Sequence, residues 1–182
     1  MTNKASYPDE YIQYLAEYYG SRDYFECHEI MEEYWKEHPD SKLAICWLVL
    51  IRIAVALYHA RRGNRAGAVK LMGKAAQEAD EALFEQLGID GPKLKSQLER
   101  TYAEWGARTT IAYIDLELPI TDEALLESAR GRSAACGYPW RIGGQEAGEA
   151  VIDRHKLRDR SDVIAAREAS AKRKALGRAN RD

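Results

Sequence analysis

Residues 43–57 of this 182-residue chain are apolar throughout except at Arg52, in the middle of the run. The run is shorter than the roughly 20 residues that a bilayer span needs, and its charge falls at the centre, so it reads as a core helix and no membrane segment is expected. A guanidinium cannot lose its proton at ordinary pH, so burying one unpaired would cost several kcal/mol, roughly. Arg52 therefore demands a partner on a neighbouring helix. The nearest upstream segment, residues 24–35, holds His28, Glu29 and Glu32 at helical spacing. The expectation is a helical core with a polar layer at its centre, in which Arg52 meets Glu29 or Glu32.

The breakers divide the chain into about five helices. Pro8 suits a helix start, and a first helix runs over residues 9–19 to Gly20. Asp23 is placed to cap a second, with Glu26 three positions on, and His38-Pro39 stops it. Asp40 or Ser41 caps the third, which continues to Gly63-Asn64; Gly63 suits a left-handed C-terminal position and Asn64 caps a fourth, over residues 65–86. Gly91-Pro92 opens a fifth, whose Leu94, Leu98, Tyr102 and Trp105 share one face. Alternation of apolar and polar residues over 113–120 then predicts an extended segment, confined by Pro119 to an edge. It should pair with residues 136–142 or with a symmetry mate, which makes a homodimer the expected assembly. Thr121 caps a short helix over residues 122–130. The fold class is all-α: a small bundle with a short extended segment and a C-terminal helical tail.

Charge is distributed unevenly along the chain. Residues 155–182 carry nine Lys/Arg against four Asp/Glu, a net +5, although the whole chain sums to −2. Gly143-Gly144 reads as a linker, so the expected domains are residues 1–142, helical, and 143–182, a basic tail. A solvated helix explains such a tail more simply than nucleic-acid binding does, and no nucleic acid is expected. Three widely spaced cysteines, Cys27, Cys46 and Cys136, with no secretory signal before the polar start, point to a reducing cytoplasm. Phosphate-loop, dinucleotide, zinc-ribbon and nucleophile-elbow signatures are absent.

The order Phe25, His28, Glu29, Glu32, Trp35, then residues 54–59 with Tyr58 and His59, then Arg62-Gly63-Asn64 and Gly67-Ala68, resembles the DUF309 family of bacterial and archaeal proteins. The match covers residues 24–72, and the region beyond resembles longer, Bacillus-type members. The resemblance implies a small all-helical domain with the helix bearing His28, Glu29 and Glu32 as its hallmark. At the position of Arg52 the family frequently has glutamine. No established activity comes with it.

On physical grounds, the plainest reading of His28, Glu29, Glu32 and Arg52 is a polar layer that fixes helix register. A second makes that layer the floor of a pocket for a small anionic ligand, walled by Tyr24 and Tyr58. Arg61, Arg62 and Arg65, near the helix start after Asn64, offer phosphate contacts. A third reading takes His28, Glu32 and His59 as ligands of a divalent metal in a hydrolase. Against it, a hairpin about residues 38–41 sets Arg52 level with His28 and His59 about 10 Å further along. The expected function is thus a non-catalytic binding or interaction module without a cofactor; the metal-dependent hydrolase is the alternative.

Overall fold

The computed structural model describes residues 6–153 and residue 172. The chain separates into two compact units, residues 1–152 and 153–182, and the first is described here. That unit takes in Gly143 and Gly144; the basic stretch from His155 onward lies outside the described residues apart from position 172.

Among the described residues eight α-helices follow one another: α1 (Asp9–Ala16), α2 (Tyr24–Glu37), α3 (Ala44–Arg61), α4 (Arg65–Glu78), α5 (Glu81–Gln86), α6 (Gly91–Gly106), α7 (Glu123–Ala135) and α8 (Glu149–Ile152). The all-α class read from the sequence holds, with more helices than five. The α3 helix is apolar on all sides because it is surrounded, packing against α2 on one flank and α4 on the other. Among the described helices it alone has the length and hydropathy to cross a membrane, and 61% of that window is buried inside the fold. Side-chain oxygens of Asp23, Asn64 and Asp90 cap α2, α4 and α6. Gly63 has φ +75°, the left-handed stop expected there.

Four boundaries differ from the sequence reading, the first at α3, which starts at Ala44 after Leu43 with no side-chain cap from Asp40 or Ser41. The helix expected over residues 65–86 breaks at Ala79, which is extended, and Asp80 caps α5 by accepting from Leu83 N. Asp122, not Thr121, caps α7, which runs on to Ala135. After α1 the chain takes one wide π-type turn, Glu17–Ser21, closed by Arg22 N donating to Glu17 O at 2.8 Å. The extra residue in that turn lets Tyr18 and Tyr19, adjacent in sequence, both bury completely.

The extended segment is also held differently from the expectation. Among the described residues there is no β-strand, and one antiparallel bridge joins Ile89 to Ile120. Tyrosine hydroxyls take the place of a partner strand. Tyr18 Oη donates to Leu116 O at 2.7 Å; Tyr19 Oη donates to Leu118 O at 3.2 Å and accepts from Leu118 N at 2.7 Å. Residues 136–142 go to Tyr19 instead, with Arg141 N donating to Tyr19 O at 2.9 Å. Tyr11 and Tyr14 complete the pattern by donating to Leu87 O and Leu50 O. A helix rich in tyrosine can thus bury its rings and still satisfy irregular backbone at a distance.

Candidate functional site

The expected central layer is divided in two. Phe25 lies against Tyr58 and Tyr34 against Trp47, so the α2–α3 hairpin has close to the anticipated register. Arg52, however, is turned toward α4, where it pairs with Glu78 rather than with Glu29 or Glu32. Its side chain is 15% exposed and that of Glu78 33%, and burial pulls the guanidinium pKa below its usual value. The sequence reading found the level and missed the facing helix, since α3 has neighbours on both flanks.

His28, Glu29 and Glu32 form a partly exposed row on α2. His28 Nδ1 lies 3.2 Å from Glu29 Oε1 and its Nε2 lies 3.8 Å from Glu32 Oε2, while Lys36 Nζ approaches Glu32 at 3.2 Å. His59 is held elsewhere, at the α3–α4 turn, with Nδ1 3.1 Å from Asn64 Nδ2. Burial and the nearby Arg62 lower the His59 pKa. A Cβ at Gly67 would come within 2.8 Å of the His59 ring, which accounts for glycine there. Among the described residues no group of three His, Cys, Asp or Glu side chains is gathered as a metal site.

The predicted phosphate contacts also separate. Arg62 stacks over Tyr58 at 5.2 Å. Arg65 donates from Nε to Arg108 O at 2.5 Å and from Nη2 to Gly106 O at 2.9 Å, clamping the C-terminal end of α6. Arg61, the last residue of α3, points toward the N-terminal end of α2, and there it meets Tyr24, one of the two predicted pocket walls, 4.7 Å from the ring centroid.

This end of the bundle holds the densest polar network. Arg22 is 1% exposed and Arg61 9%. Arg22 follows the π-type turn with φ +56° and ψ +29°, a left-handed conformation that costs a non-glycine residue about 1–2 kcal/mol. Its Nε donates to Ile142 O at 2.7 Å, and its Nη2 lies 3.9 Å from Asp115 and 4.0 Å from Glu117. Arg61 Nη1 donates to Arg22 O at 2.8 Å and to Gly144 O at 3.4 Å. Asp115 accepts from Tyr113 Oη at 2.6 Å and from Gly144 N at 3.0 Å. Because Tyr113 spends its proton on that carboxylate, Tyr24 Oη, 2.5 Å away, is the donor to Tyr113. Desolvation raises the pKa of both phenols, so both stay neutral at physiological pH.

Three donors in this network have no acceptor among the described residues: Arg22 Nη1, Arg61 Nε and Arg61 Nη2. The two on Arg61 lie along one side of the guanidinium and form the fork that matches a planar or tetrahedral oxyanion through two parallel hydrogen bonds. Leaving such groups buried and unfilled is costly. Arg22 also lies near the carboxylates of Asp115 and Glu117, and Glu117 is 3.5 Å from Arg141. Of these residues the sequence reading singled out Tyr24 and Arg61. Arg22, Tyr113 and Asp115 were missed. The signal was the polar side of the extended segment, Tyr113, Asp115 and Glu117, which faces this network rather than solvent alone.

Fold and site together define an all-α protein with an arginine–tyrosine network buried where the ends of two antiparallel helices meet an extended segment. The chain belongs to the DUF309 family, described as a domain of unknown function, which matches residues 11–71. It is 42% identical over 174 residues to the uncharacterized protein YpuF of Bacillus subtilis (strain 168), covering 94% of this chain and 99% of that one. No solved structure matches the chain.

Proposed function

We propose that this protein is a non-catalytic binding module for a small oxyanion, held at the fork of Arg61 beside Tyr24, Tyr113 and Arg22. One observation carries the reading: Arg61 Nε and Nη2 are buried side by side without an acceptor, while its remaining nitrogen is fixed by two main-chain carbonyls. The carbonyls orient the guanidinium through Nη1, so its Nε and Nη2 remain for a guest. Phosphate and carboxylate share the required chemistry, two oxygens spaced to accept from one fork. Neutral phenols support a binding role over an acid–base one, since neither Tyr24 nor Tyr113 loses its proton near pH 7. A cytoplasmic setting belongs to the same reading, supported by Cys27, Cys46 and Cys136 all being free thiols.

Thermal unfolding of the full chain in sodium phosphate, sodium malonate and sodium chloride at matched ionic strength tests this. A ligand at a hundredfold excess over its Kd adds about 2.7 kcal/mol, which raises Tm by about 5 °C or more. Phosphate or malonate should give that rise and chloride should not, and Arg61→Lys, which keeps the charge and loses the fork, should abolish it. Equal Tm values in all three salts, or an undiminished response in Arg61→Lys, would refute the proposal.

A further inference from the structure

Three segments meet around Arg22 and Arg61, and they are held unequally. The start of α2 is anchored by Tyr24 and Cys27, both in the apolar core. The extended segment is anchored there by Leu116 and Leu118, and by the phenols of Tyr18 and Tyr19. Residues 142–147 have no such anchor. Among the described residues Trp140 is the last to pack against the apolar core, and Ile142 and Ala147 stand outside it. What holds this segment is polar. Ile142 O accepts from Arg22 Nε at 2.7 Å, Gly144 O accepts from Arg61 Nη1 at 3.4 Å, and Gly144 N donates to Asp115 at 3.0 Å. Its start is fixed by Arg141, which has φ +60°, donates its N–H to Tyr19 O and pairs with Glu117. A stretch with so few hydrogen bonds and no apolar anchor opens more readily than the helices around it.

Gly144 nevertheless sits buried, so close to the Tyr113 hydroxyl and the Asp115 carboxylate that a Cβ would meet both. The free Nε and Nη2 of Arg61 are shut off from solvent. An ion reaches them only if a neighbouring segment moves. We infer that residues 142–147 form a strap, which opens to admit the oxyanion to the Arg61 fork and closes over it; this rests on the oxyanion reading above. Of the three segments the strap has the weakest hold, so it is the one that moves. It does not compete with the ion, because Gly144 O uses Nη1 and the ion uses Nε and Nη2. Strap and ion therefore fix one guanidinium in one orientation, and each favours the closed state of the other. Closure also excludes water, which strengthens the charge-assisted hydrogen bonds inside. The strap thus governs entry and release of the ion.

The Gly144 amide is the reporter, since Asp115 holds its hydrogen only while the strap is closed. Its hydrogen exchange is followed by NMR on the full chain, labelled with nitrogen-15, in sodium chloride and in sodium phosphate at matched ionic strength, with Tm read in both. In chloride it should exchange roughly a hundredfold or more faster than the slowest amides of α3. Phosphate at about a hundredfold excess over its Kd should slow it by about tenfold or more, and Arg61→Lys should remove that slowing. If phosphate raises Tm but Gly144 exchanges no faster than α3 in chloride, or is not slowed by phosphate, the strap is overturned and the oxyanion site stands. If phosphate leaves both Tm and the Gly144 rate unchanged, the oxyanion reading fails and the strap falls with it.

Discussion

Arg52 and Arg61 stand nine positions apart on one helix, about two and a half turns, so they leave α3 on opposite sides. Arg52 faces α4 and finds a carboxylate, Glu78, which answers its charge. Arg61 faces the start of α2 and finds two carbonyl oxygens and the face of Tyr24, which hold it in place and leave its Nε and Nη2 without an acceptor among the described residues. The contrast shows how one helix can carry a closed and an open cation. An ion pair completes a core, while a guanidinium positioned by neutral groups keeps its fork for something else.

Alkali should break this contrast with the largest effect. Tyr11, Tyr14, Tyr18, Tyr19, Tyr24 and Tyr113 all have pKa values raised, chiefly by burial. A raised pKa keeps the proton in the folded state, so the stability it contributes is complete below the unfolded value of about 10 and is lost as pH climbs toward the folded value. Each phenol whose pKa is raised adds to this loss, so the effects of the six accumulate over the same pH window. Unfolding should therefore be abrupt just above pH 10, seen as coincident loss of helix by circular dichroism and a rise in phenolate absorbance. Gradual phenolate formation in a chain that stays helical would show that these rings are wetter than their positions suggest.

Removing the closed cation comes next. Arg52→Met leaves Glu78 without its partner and should destabilise by about 2 kcal/mol in urea, less than a fully buried pair would lose because Glu78 is one-third exposed. Arg52→Gln, the residue frequent in the family, should cost less, since an amide still donates to the carboxylate. Arg52→Met with Glu78→Leu should recover most of the loss. If the double variant is no better than Arg52→Met, the two side chains do not act as a pair.

The smallest effect concerns the frame of the open cation. A Cβ at Gly144 would run into the Tyr113 hydroxyl and the Asp115 carboxylate. Gly144→Ala should cost about 1 kcal/mol by crowding, within the usual range for overpacking, and leave the Arg52 pair untouched. Additivity of Gly144→Ala with Arg52→Met in urea unfolding would confirm that the two regions are independent.

Much of the architecture could be read before folding is considered. The capping roles of Asp23 and Asn64, the left-handed Gly63 and the surrounded α3 depend on residues within a turn or two of one another, where side-chain chemistry leaves few choices. The π-type turn at Glu17–Ser21 left no comparable mark, since it is stabilised by burying Tyr18 and Tyr19 against residues about a hundred positions away. Residues 113–120 were legible as extended and misleading as a strand, because alternation says nothing about whether a backbone or a hydroxyl completes the hydrogen bonds.

The sequence by itself determined that a cation lies within the core helix and needs an answer, and it located His28, Glu29 and Glu32 on a neighbouring helix near that level. Tertiary structure decided which answer each arginine receives. Helical periodicity sets the direction in which Arg52 and Arg61 leave α3, but only the packing of α2 and α4 on its two flanks sets what stands there. A carboxylate meets Arg52 and main-chain oxygens meet Arg61, because long-range docking places Glu78 at the first position and the ends of two other segments, at Arg22 and Gly144, at the second.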